Sequence, residues 1–114
     1  MQRQPREHDA KHLVFLRSLP CLCCKDPIHT EAAHVRYSDP TVDKRKVGIA
    51  EKPDDKWAVP LCGTEHRMQH SMGEREFWEM HGINPLEIAI ALYAVSGDHE
   101  AGEQIVADVR CVWR

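Results

Sequence analysis

The stretch VPLCGTEHRMQH, Val59 to His70, holds the residues of the chain best suited to chemistry. His66 and His70 stand at i, i+4, which stacks two imidazoles on one helical face. Such a pair can hold one divalent ion and leave positions open for water or substrate. Two solvent-facing helix histidines are the plainer alternative. Further upstream, Cys21-x-x-Cys24 forms a knuckle, and Cys62 is followed by Glu65. Zinc takes four soft or borderline donors, and two tight turns can supply two each. Here the second turn is incomplete, because the position three after Cys62 is Glu65. The fourth donor is then Glu65 through oxygen, Cys23 or a histidine. The remaining alternative is that these cysteines are small buried residues with no ion.

The whole chain bounds these readings. Its 114 residues suit one domain with a modest core. Hydrophobic residues at 42% and charged residues at 29% exclude a disordered or fibrous class. No apolar run is long enough to span a bilayer, and MQRQPREHDAKH lacks the apolar region of a signal peptide. A cytoplasmic protein with no membrane partner is therefore expected. Five cysteines, an odd and clustered set, argue against a disulfide framework and for metal or free thiols. Net charge is −3, so the chain is not globally basic, but DKRK at 43–46 is a local basic cluster that could meet phosphates.

Several elements must position these groups. HDAKHLVFLRSL, residues 8–19, reads as a helix capped by Asp9 and ended by Pro20. CLCCKDP is a turn. EAAHVRY, 31–37, and WAVPL, 57–61, read as two short strands flanking a long loop from Ser38 to Asp55. A helix from near Gly63 carries His66 and His70 and is interrupted at Gly73. EREFWEM makes a further helix stopped by Gly82. NPLEIAIALYAVSG has Asn84 as cap, Pro85 at the first helical position and Gly97 as its close. Asp98 caps a last helix running to near Trp113. Trp57, Phe77 and Trp78 read as core, with Trp78 packed against Leu86, Ile90 and Tyr93. The order is a helix, a ββα unit, then helices.

The order C-x-x-C, then EAAH, then VPLC-x-x-x-H-x-x-x-H resembles the HNH, or ββα-metal, nuclease motif. It looks most like the small phage and prophage HNH proteins grouped with the recombination-enhancement nucleases that act with RecA. The resembling text is HLVFLRSLPCLCC, EAAHVRYSDPTV, KPDDKWAVPLC, EHRMQH and EREFWEMHGINPL, roughly residues 12–95. The resemblance implies an α+β fold: a zinc-braced ββα finger, about 21–72, with C-terminal helices, about 74–113, in a single domain. It implies that His34 is the general base, that His66 and His70 bind the catalytic metal, and that Cys21, Cys24 and Cys62 brace the motif around a structural Zn²⁺. Asp55 is the best match to the middle Asn, with Asp54 second. Two departures stand out: Ala33 occupies the place of a metal-binding Asp or His just before the base, and Glu65 that of a fourth zinc cysteine.

The chemistry so implied is hydrolysis of DNA phosphodiester bonds. A divalent ion (Mg²⁺, Mn²⁺, Ni²⁺ or Zn²⁺) on His66 and His70 would act as Lewis acid at the scissile phosphate. His34 would deprotonate the attacking water, and Asp55 would orient His34 or support the metal. Arg36, Lys44, Arg45, Lys46 and Arg67 would touch phosphates. The expected partner is DNA, as naked duplex or with a RecA-coated single strand. A zinc-finger DNA-binding module without catalysis, or a recombination accessory factor that depends on RecA, is the competing expectation.

Overall fold

A computed structural model of the chain describes residues 9–37 and 54–111. Asp9 opens helix α1, Ala10–Arg17, its carboxylate accepting from the His12 amide at 3.0 Å. The helix stops at Arg17, short of the expected residue 19. Ser18 Oγ donates to Phe15 O at 2.6 Å and closes the last turn there, and Leu19, preceding Pro20, is steered away from helical geometry.

Strand β1, Thr30–His34, pairs antiparallel with β2, Ala58–Cys62. The register sets Thr30 opposite Cys62, Ala32 opposite Pro60 and His34 opposite Ala58. β2 begins one residue later than its sequence suggests, because Asp55–Trp57 form a single 3-10 turn that leads into it. The predicted loop thus ends before Asp55; its residues 38–53 lie outside the described part. Pro60 has no amide to give a ladder, and its carbonyl accepts instead from Leu22 N at 2.9 Å, fastening the cysteine turn to the hairpin.

β2 runs directly into α2, Gly63–Met72, and then α3, Glu74–His81. Gly82, at φ 69°, ends α3: its amide donates to Glu79 O at 3.1 Å, and Ile83 N donates to Trp78 O at 3.1 Å. Asn84 caps α4, Pro85–Ala94, through Leu86 N, and Asp98 caps α5, His99–Asp108, through Ala101 N. Both helices are shorter than their apolar runs suggest. α4 ends at Ala94, with Gly97 (φ 90°) in the turn beyond it. α5 ends at Asp108 because Val109 is extended and offers its carbonyl to Lys25 Nζ at 2.7 Å.

Leu16, Leu19, Leu22, Val35, Leu61, Phe77, Trp78, Leu86 and Leu92 are fully buried. Each large apolar side chain so buried contributes about 1.5–3 kcal/mol. Phe77 and Trp78 meet edge to face at 4.9 Å. Ile90 and Tyr93, expected beside Trp78, are instead 44% and 39% exposed. Tyr93 turns its hydroxyl to Asp9 Oδ2 at 3.2 Å, a polar partner that the helix surface supplies and the core does not. Among the described residues, no helix is long and apolar enough to cross a membrane. The result is α+β: an antiparallel hairpin followed by helices, with cysteine clusters set against it.

Candidate metal centres

The cysteine turn folds back on itself: Lys25 N donates to Cys21 O at 3.0 Å and Cys21 N to Asp26 O at 3.0 Å. Closing so tight a turn places Lys25 at φ 64°, in the left-handed region that glycine favours. The turn brings Cys21, Cys24 and Cys62 together with their sulfurs within 4.8 Å of one another, and Cys24 Sγ lies 3.5 Å from Cys62 Sγ. Sulfurs on a tetrahedral zinc stand about 3.8 Å apart, given bonds of about 2.3 Å, so this group is compatible with zinc.

The turn is also electrostatically prepared for a thiolate. The Cys21 thiol is drawn well below its ordinary range, first by a hydrogen bond from the Cys23 thiol. The backbone amides of Cys24, Cys62 and Cys23 add to this against the opposing effect of burial. The Cys23 amide reaches Cys21 Sγ at 3.4 Å. Glu65, an expected fourth ligand, is placed elsewhere: its Oε2 lies 3.5 Å from His81 Nε2. The three thiols therefore leave the fourth corner of a tetrahedron to a donor outside the group.

His66 and His70 lie on the same face of α2, with ring centroids 4.9 Å apart. His66 Nδ1 is 2.8 Å from Glu31 Oε1 on β1. A carboxylate only accepts, so Nδ1 carries the hydrogen and Nε2 keeps its lone pair. That is the arrangement by which a carboxylate fixes a metal-ligating histidine. Gly63 makes room for it: a Cβ there would lie 3.1 Å from Glu31 Oε2 and 3.2 Å from Arg67 Nη1. The Glu31 carboxylate thus also lies over the N-terminus of α2, where negative charge is favoured.

His34 ends β1, and its Nε2 is 3.0 Å from Asp55 Oδ1. Asp55 is 2% exposed and His34 20%. The other carboxylate oxygen, Oδ2, accepts from the Asp9 amide at 2.6 Å. By the same reasoning as for His66, an ionised Asp55 puts the His34 proton on Nε2 and leaves Nδ1 as the acceptor. Alternation along β1 sends Glu31 and His34 to opposite faces of the hairpin, three residues or about 10 Å apart along the strand. The structure therefore joins His34 to Asp55, and His66 to Glu31 and His70, as two separate constellations.

Of the expected phosphate contacts, Arg67 is exposed beside Glu31, and Arg36 is half-buried. The Arg36 amide donates to both Glu74 oxygens, at 3.0 and 2.9 Å, which ties the end of β1 to the start of α3. Lys44, Arg45 and Lys46 lie outside the described residues.

Glu31 was missed in the sequence. Its signal was available: two residues before Ala33, it shares that residue's strand face, so a carboxylate stands on the side where the resemblance leads one to expect a ligand. Compared with family models, with curated proteins and with solved structures, the chain finds no match.

Proposed function

We propose that this chain is a metal-dependent DNA endonuclease of the HNH type. His66 and His70 hold the divalent ion, His34 is the general base and Asp55 positions it. The observation that carries this reading is the Glu31–His66 contact, at 2.8 Å, on a helix that follows a two-stranded hairpin without a break. An imidazole committed through Nδ1 to a carboxylate offers Nε2 to an ion, and the exposed neighbouring His70 offers a second nitrogen. A plain pair of surface histidines has no need of such a partner.

A bound divalent ion supplies Lewis acidity at the scissile phosphate. In this reading His34 takes the proton of the attacking water as its oxygen bonds to phosphorus and the bond to the departing sugar oxygen breaks, which requires the scissile phosphate to reach both the ion and His34 across the edge of the hairpin. Asp55 holds the ring in the tautomer that can accept this proton and faces the imidazolium that results. Arg67, beside Glu31 at the start of α2, would contact a backbone phosphate.

The test is cleavage of supercoiled plasmid with Mg²⁺, Mn²⁺, Ni²⁺ or Zn²⁺, with and without RecA-coated single strands. Cutting by the parent is expected, along with a loss of ~10²–10⁴-fold in His34→Ala and loss of metal-stimulated cutting in His66→Ala. A His34→Ala protein that cuts at the parental rate would remove His34 from the mechanism and leave the metal assignment standing. Failure of the parent to cut with every ion, on naked DNA and on RecA filaments alike, would overturn the nuclease reading.

One observation favours a second reading. The His34–Asp55 couple and the histidine pair occupy opposite hairpin faces, which suits a zinc-braced DNA-binding module that does not cut. Salt-dependent binding of duplex DNA without cleavage in any condition would establish it.

A further inference from the structure

The cysteine turn faces two ways. Cys21 and Cys24 group with Cys62, while the Cys23 thiol, which also lies within hydrogen-bond reach of Cys21, groups with a second set of donors. This thiol, a ring nitrogen of His81 and the thiol of Cys111 lie within 4.8 Å of one another. Cys23 is 2% exposed and His81 1%. The three come from separate parts of the fold: the turn, the last residue of α3, and the segment after α5. Of the three, the sequence singles out only Cys23, as an alternative fourth donor of the finger.

Three of the four donors of a structural zinc site are present. Two thiols and an imidazole are zinc ligands, and bonds of about 2.0–2.3 Å set tetrahedral donors about 3.3–3.8 Å apart, a modest contraction from the spacing present. Glu65 stands beside this group, outside the mutual spacing of its three donors. Its Oε2 sits 3.5 Å from His81 Nε2 and is buried without a hydrogen-bond donor among the described residues. Withdrawing a carboxylate oxygen from water with no donor is unfavourable, and a cation at that point removes the penalty. Cys111 is held over the turn, with Sγ 3.6 Å from Leu22 O.

We propose that Cys23, His81 and Cys111 hold a second structural zinc, with Glu65 beside His81, distinct from the Cys21–Cys24–Cys62 group and from the histidine pair. It clamps the segment after α5 onto the cysteine turn and the end of α3. It does not depend on the nuclease reading, because none of its ligands belongs to the proposed catalytic groups.

Zinc content is measured by mass spectrometry of the metal after exhaustive dialysis, in a His66→Ala/His70→Ala background that silences the exposed pair. Cys111→Ser is expected to remove one zinc equivalent per chain while circular dichroism is preserved, and Cys24→Ser is expected to leave that equivalent in place. Unchanged zinc in Cys111→Ser overturns the centre. The parent chain gives an answer that needs no variant. Half-buried Cys111 is expected to resist iodoacetamide until a chelator strips the zinc, whereas prompt alkylation of Cys111 in zinc-loaded protein overturns the proposal. A Cys23–Cys111 disulfide in peptide maps of protein kept under reducing conditions overturns it as well.

Discussion

His66 Nδ1 and Glu31 Oε1 meet at 2.8 Å across the junction of β1 and α2. The contact fixes which nitrogen of the imidazole faces outward, and with it the geometry any ion on α2 would find. Glu31→Ala is therefore expected to weaken binding of Mn²⁺ or Ni²⁺ to the His66–His70 pair by ~10–100-fold. Glu31→Gln keeps an acceptor oxygen without the charge and falls between the two. Isothermal titration with the cysteine groups already zinc-loaded measures this. Equal affinity in all three proteins would mean that the Glu31 contact plays no part in metal binding.

Asp55 has two tasks, and they can be separated. One oxygen faces His34 Nε2 at 3.0 Å, and the other accepts the Asp9 amide at 2.6 Å, where α1 begins. Asp55→Ala strands both donors in a site only 2% exposed, and should cost about 1–3 kcal/mol of stability. His34→Ala removes one partner at the more exposed side of the same pair and should cost less. Urea denaturation of the two variants compares them. If Asp55→Ala proves no less stable than His34→Ala, the Asp9 amide is satisfied by water and Asp55 serves His34 alone.

The sequence was most informative where the determinant was local. Asp9, Asn84 and Asp98 are caps at the places their types suggested, each accepting an amide in the first helical turn. Cys21, Cys24 and Cys62 assemble because a two-residue turn and a strand register bring them together. What escaped was set by packing between distant segments. His81 looks like an ordinary last residue of an amphipathic helix, and Cys111 like a stray thiol. Only the placement of α3 and of the segment after α5 against the cysteine turn brings them to Cys23. The end of α5 escaped for the same reason, since Lys25 takes the Val106 and Val109 carbonyls, whereas α4 is closed locally by Val95 N on Leu92 O and Ser96 N on Tyr93 O. Glu65, expected beside Cys62 from its spacing in the chain, is carried by the pitch of α2 toward His81 instead.

His12 makes stability depend on pH. It is fully buried, with Nδ1 2.8 Å from Ser96 Oγ and its ring edge-on to Tyr93 at 4.8 Å. Burial depresses its pKa below 6.5, and the nearby carboxylates of Asp9 and Asp55 oppose this only in part. As pH falls through 6.5 toward the lower folded value, the unfolded chain binds a proton that the folded chain does not. Unfolding then takes up protons, and stability declines with falling pH in that window. The measurement is the unfolding free energy at pH 7.5 and at pH 5.5 for the parent and for His12→Gln. Other groups that titrate in this window are common to both proteins and cancel in the comparison. The variant should be less stable at neutral pH and lose less on acidification. An identical loss in both would show that His12 is not protonated differently by folding.

Lys25 closes the fold from the other end. Its ammonium reaches Leu22 O, Val106 O and Val109 O, each at 2.7 Å, so all three of its donors meet backbone carbonyls. Two of those carbonyls lie at and just beyond the last turn of α5, where the helix dipole favours a cation. Lys25→Met keeps the aliphatic stem and removes the charge and the donors, and should cost about 1–2 kcal/mol. The effect should concentrate where the carbonyls are released, so amide exchange in the last turn of α5 should quicken more than exchange in α1 or β2. A melting temperature and exchange pattern equal to the parent's would mean that these bonds are replaced by water at no net loss. The segment reaching Cys111 would then be held by its thiol and its packing alone.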